Sequence, residues 1–169
     1  MGEGSLPRVA VKKIVHMDFP TLLMVNKEVV ALTQESSSHT EADDPKLREL
    51  LADVESASAG RGPDDALPEK ASLLIFKIAS GQHFKAGNKR TALVAGFAFL
   101  RKNGYNLDIE DGDLVSVVDK VGIAAATLED LQKLVLRLAV KAKAERKGWE
   151  SLVTQSVESK TDFLTIISS

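Results

Sequence analysis

Residues 91–100 read Thr-Ala-Leu-Val-Ala-Gly-Phe-Ala-Phe-Leu and are followed at once by Arg101-Lys102-Asn103-Gly104. A helix through this run, spanning roughly Lys89 to Lys102, is apolar on nearly every side. Such a helix is stable in water only where other elements cover all of its faces, so it belongs at the centre of a bundle. Asn103-Gly104 supplies a left-handed C-terminal cap, and Arg101 and Lys102 complement the negative end of the helix dipole.

The rest of the chain supplies the covering helices. Asp18-Phe19-Pro20 opens a first helix with Leu22, Val25, Val29 and Leu32 on one face, and Asp44-Pro45 caps a second with Leu47, Leu50, Leu51 and Val54 inward. Leu67, Ala71, Leu74, Ile75 and Ile78 mark a third, ending at Gly81. A fifth carries Leu114, Val117, Val118 and Val121 and starts in the acidic cluster 108–113. Thr127-Leu128-Glu129-Asp130 resembles a capping box and opens a sixth, with Leu128, Leu131, Leu134, Val135 and Leu138 inward. The basic run Lys141 to Lys147 reads as the solvated end of that sixth helix, and residues 149–169 as a further helix or tail. Extended structure is limited to a candidate edge strand at Arg8 to Val15 and a short connection at Tyr105 to Ile109. The expected fold is an all-α bundle, with a minor β-flap or short N-terminal strand at most, forming one domain over residues 1–169.

Composition narrows the function classes. A net charge of −2 gives no electrostatic footprint for nucleic acid, and the absence of cysteine removes disulfides and thiolate chemistry. No stretch reaches the roughly 18 consecutive apolar residues of a membrane span. The first fifteen residues lack the apolar core of a signal peptide. The expectation is a soluble cytoplasmic protein that neither spans a membrane nor binds nucleic acid, of open oligomeric state. His16 and His39 stand alone, without partners at ligand spacing.

The chemistry-bearing segment precedes the apolar helix: Ser80-Gly81-Gln82-His83-Phe84-Lys85-Ala86-Gly87-Asn88-Lys89-Arg90. Gly87 and Asn88 both tolerate positive φ, so successive N–H groups there can form an anion-binding nest. Lys89 and Arg90 occupy the first turn, at the positive end of the dipole, where cations are ordinarily unfavourable; a bound phosphate would account for them. Arg90 can offer a phosphate two parallel N–H donors.

These residues resemble the signature of the Fic/Doc (Fido) family, His-x-Phe-x-(Asp/Glu)-(Gly/Ala)-Asn-(Gly/Lys)-Arg, on a loop entering a central helix. Thr91-Ala92-Leu93, Phe99-Leu100-Arg101-Lys102-Asn103-Gly104, Glu69-Lys70-Ala71 and Glu28-Val29-Val30-Ala31-Leu32-Thr33 add to the likeness. Lys89 is similar to the Doc, death-on-curing branch. The resemblance covers about residues 18–140, leaving 141–169 as a C-terminal extension. It implies a Fido-type bundle binding ATP or a related nucleotide with Mg2+. The implied activity is phosphoryl or AMP transfer to a hydroxyl of a protein target, with an antitoxin as candidate partner. Gly87, Asn88, Lys89 and Arg90 would bind the phosphates, with Phe84 anchoring the loop.

Two positions depart from the signature. Gln82 stands where the family has its catalytic His, and a primary amide has no basicity near neutral pH; loss of a positioned base alone costs about 10²–10⁴ in rate. His83, the next residue, is the one candidate substitute. Ala86 stands at the acidic position that holds the metal, and its side chain offers no oxygen. Three readings follow: a Doc-like transferase with impaired catalysis, a pseudoenzyme acting as a phosphate sensor or protein-interaction module, and a helical domain without a ligand. Between Ser56 and Ala66, where the family has a β-flap before the third helix, no β-branched residue occurs.

Overall fold

The structure, a computed structural model, describes residues 13–32, 44–107, 112–160 and 164. Within them lie seven helices: α1 (Phe19–Leu32), α2 (Pro45–Ser56), α3 (Pro63–Gly81), α4 (Asn88–Lys102), α5 (Gly112–Gly122), α6 (Leu128–Leu138) and α7 (Trp149–Ser159). Two short strands, β1 (Tyr105–Leu107) and β2 (Ala139–Lys141), form an antiparallel ribbon with Asn106 opposite Val140. The all-α expectation is therefore met in its broad form. Among the described residues no helix is long and apolar enough to cross a membrane.

Every residue from Thr91 to Leu100 is buried, and α4 is contacted by α1, α3, α5, α7 and β1. Its apolar circumference leaves no other arrangement without exposing several large side chains, each worth about 1.5–3 kcal/mol when buried. Gly96 lets α3 approach: a Cβ there would lie 2.5 Å from Cδ1 of Ile75. The C-terminal segment belongs to the same core, since Leu152, Val153, Val157 and Leu164 join the cluster containing Phe99 and Leu22.

Local signals set several boundaries as expected. Asp18 accepts from the Thr21 N–H, Asp44 caps α2 through the N–H groups of Lys46 and Leu47, and Thr127 and Asp130 complete a reciprocal capping box on α6. At the end of α4, Gly104 takes the left-handed conformation with φ +93°.

Other expectations are corrected. The segment after Leu138 does not continue α6: Ala139–Lys141 is β2, followed by chain without regular structure. The main chain of Tyr105–Leu107 offers that segment a pairing edge, which a sequence pattern does not reveal, and Ala142 N–H extends the pairing to the Gly104 carbonyl at 2.8 Å. Residues 13–15 form no strand; Asn103 holds Val15 instead, accepting from its N–H and donating to its carbonyl. The third helix starts at Pro63 rather than Leu67, because Pro63 fits the first helical position and Asp64 and Asp65 complement the dipole. No strand forms across 56–66. The edge-strand residues before 13, the Ser36–Ser38 run, most of the acidic cluster and Phe163, Ile166 and Ile167 lie outside the described residues.

Candidate functional site

Between α3 and α4 the chain must reverse within a few residues. Gln82, at φ 50° and ψ 41°, closes α3 in the left-handed conformation, and Gly87, at φ 76°, opens α4. Gly87 is required twice over, by its positive φ and by its closeness to α1: a Cβ would sit 3.1 Å from Val30 Cγ1 and 3.3 Å from Val29 Cγ2. Asn88 is already helical, so the positive-φ nest expected of the Gly87–Asn88 pair reduces to Gly87 alone.

Asn88 has a different duty. Its Oδ1 accepts from the Phe84 N–H at 3.0 Å and its Nδ2 donates to the Phe84 carbonyl at 2.8 Å. This two-way pairing ties the loop into a ring while the Phe84 side chain, only 3% exposed, enters the core. Phe84 is thus fixed at both its main chain and its buried ring.

From α1, Asn26 completes the clamp. Its buried Nδ2 donates to the Ala86 carbonyl at 3.0 Å and to the Thr91 hydroxyl at 3.1 Å, one contact on each side of Gly87. Sequence reasoning missed Asn26. The available signal was a polar residue beside the apolar face of Leu22, Val25 and Val29, since a buried amide needs partners.

The charged motif residues diverge. Lys89 runs across Gly122 to Asp119 of α5, with Nζ 3.2 Å from the carboxylate. Arg90 is buried and donates its Nε–H to the Leu164 carbonyl at 2.8 Å. Gln82 is exposed at the C-cap. His83 turns away into a cavity of about 440 Å³ between α2 and α3, among Lys46, Glu49, Asp53 and Lys77. There its ring lies beside Lys77, Ser80 and Gly81, near the end of α3. Burial holds the His83 pKa below its ordinary value, against the opposing pull of Asp44 and the Lys77 main chain.

The structure thus brings Phe84, Gly87 and Asn88 together and sends His83, Lys89 and Arg90 to three different neighbours. Comparison with protein-family models, curated proteins and solved structures returns no match. The resemblance to Fido proteins rests on the sequence motif alone. A magnesium ion does not fit the residues at the signature's acidic position: Ala86 contributes only its main-chain carbonyl, which already accepts from Asn26. Among the described residues no group of three or more His, Cys, Asp or Glu side chains could hold a metal.

Proposed function

We propose that this chain is a Doc-like Fido domain that binds a nucleotide phosphate at the head of α4, with transfer chemistry impaired. The observation carrying this reading is the positive-φ turn at Gly87, clamped by Asn26 and Asn88, which delivers two cationic residues to the positive end of a buried helix. Phosphate binding uses main-chain donors of that turn and the Arg90 guanidinium, in competition with the Leu164 carbonyl. Binding proceeds without a magnesium ligand from Ala86.

Catalysis is a separate matter. Gln82 cannot take a proton from an attacking hydroxyl, and His83 faces the cavity between α2 and α3. As a family transferase the domain would phosphorylate or AMPylate a protein target and answer to an antitoxin. A second reading, a pseudoenzyme serving as phosphate sensor or protein-interaction module, is favoured by the internal engagement of Lys89 and Arg90.

Calorimetry with ATP, ADP and AMP, with and without magnesium, tests the binding claim. The expected result is magnesium-independent binding that Arg90→Gln weakens while the variant stays folded at the temperature of the titration. No binding by the native protein, or equal binding by that variant, sinks it. The double variant Gln82→His with Ala86→Asp is expected to regain label transfer from ATP to protein, and γ- against α-labelled ATP separates phosphorylation from AMPylation. Robust transfer by the unaltered chain would overturn the impairment.

A further inference from the structure

The foot of α4, at the opposite end from the motif loop, holds a cavity of about 360 Å³. That is within the range of about 300–1,000 Å³ typical of small-molecule sites. Four parts of the chain converge on it: the extended residues 13–15, the first turn of α3, the end of α4, and the β1–β2 ribbon with the residues after it. Asn103 fixes one wall, accepting from the Val15 N–H at 2.8 Å and donating to the carbonyls of Val15 at 3.0 Å and Phe99 at 2.8 Å. Ile14, Val15, Pro63 and Leu67 give the cavity an apolar lining.

Its charged groups are unbalanced. Among the described residues, Lys13, Lys102 and Lys141 line the cavity, against the single carboxylate of Asp64. Asp64 is fully engaged: one oxygen accepts from the Tyr105 hydroxyl and the other lies 3.2 Å from Lys141 Nζ. The Tyr105 pKa is pushed up to about 12, by burial first and then by Asp64, so its hydroxyl stays a donor at neutral pH. Lys102 donates to the Lys147 main-chain carbonyl at 2.6 Å, a neutral partner that leaves its charge uncancelled. Among the described residues no carboxylate pairs with Lys13 or Lys102. Arg101, in the same last turn, is by contrast paired with Glu145.

We propose that this cavity binds a small organic anion, an apolar body bearing one carboxylate or phosphomonoester group. The body lies on the apolar lining, and the anionic head sits among the three lysines, drawing Lys141 from Asp64. Ammonium groups on flexible stems act as point charges and accept either head group, so the test must separate the two.

The only tryptophan of the chain is the reporter, since Lys102 Nζ lies 5.8 Å from the centre of the Trp149 ring. The full-length protein is titrated with benzoate, phenyl phosphate, benzyl alcohol and inorganic phosphate while tryptophan emission is followed. The expected result is a saturable change with at least one aromatic anion and none with benzyl alcohol or inorganic phosphate at equal concentration; the tighter anion identifies the head group. The double variant Lys13→Gln with Lys141→Gln is expected to weaken binding by about tenfold through loss of charge-assisted contacts. Asp64→Asn, which releases Lys141, is expected to tighten it by about threefold, a shift of opposite sign that general loosening of the fold would not produce. Failure of both aromatic anions, an equal response to benzyl alcohol, unchanged affinity in the lysine variant, or weaker binding by Asp64→Asn would each overturn the proposal.

Discussion

At its head α4 begins beneath a loop whose polar groups are turned inward; at its foot it ends beside a cavity rimmed by lysines. The head commits Asn88 to Phe84, Lys89 to Asp119 and Arg90 to the Leu164 carbonyl. The foot commits Asn103 in the same manner, but among the described residues no carboxylate pairs with Lys13 or Lys102. Both ends use an asparagine to tie a neighbouring main chain to the helix, and they differ in what happens to the cations. Burial explains the contrast. Arg90 is 6% exposed, and a charge taken from water must find partners within the protein, whereas Lys13 and Lys141 at the foot are exposed and Lys102 partly so.

The comparison breaks first, if it is wrong, at the two asparagines. Asn88→Ala removes two buried hydrogen bonds to the Phe84 main chain, an expected loss of about 2–4 kcal/mol in urea unfolding. Asn103→Ala removes three bonds, two of them exposed, and is expected to cost only about 1–2 kcal/mol. Equal losses would show that the head is no more dependent on burial than the foot. Gly87→Val forces a β-branched residue into positive φ against Val29 and Val30, with an expected loss of about 2–3 kcal/mol. A variant as stable as the native chain would mean that the turn relaxes freely.

Smaller effects sharpen the same contrast. Lys89→Met should cost about 1 kcal/mol or less, because Asp119 is partly solvated and such pairs contribute little. A larger loss in a double-mutant cycle with Asp119→Asn would place Lys89 among the structural groups of the loop. The pH dependence should be gentler still. Burial lowers the pKa of His16, with Lys70 adding to it against Glu55, and burial likewise lowers that of His83. The unfolded chain therefore takes up these protons first as pH falls. Stability from the neutral rings is complete above the ordinary value of 6.5 and is lost as pH falls through the lowered folded values. Denaturation midpoints from neutral to mildly acidic pH should fall for the native chain and flatten in His83→Gln, and more so when His16→Gln is added. An unchanged slope in the double variant would remove both rings from the account.

Much of this was legible in the chain itself. The apolar circumference of residues 91–100 demanded a central helix, and the caps at Asp18, Asp44 and Thr127 placed three helix starts, since capping is chemistry between residues a few positions apart. The burial of Phe84 and the positive φ of Gly87 were also readable, being local to the loop. Asn26 was less so: its oddity inside an apolar stripe was visible, but its partners lie 60 and 65 residues away.

What the sequence alone determined, then, is the set of helices, the helix that must be innermost, and the turn that feeds it. These depend on side-chain periodicity and short-range hydrogen bonding, which act within a few residues. Only the tertiary structure decided that Ala139–Lys141 leaves its helix to pair with Tyr105–Leu107, that His83 turns to the end of α3, and that Lys89 and Arg90 part toward Asp119 and Leu164. Each of those outcomes turns on which distant group lies within hydrogen-bonding reach once the core has closed, and no local pattern encodes that distance.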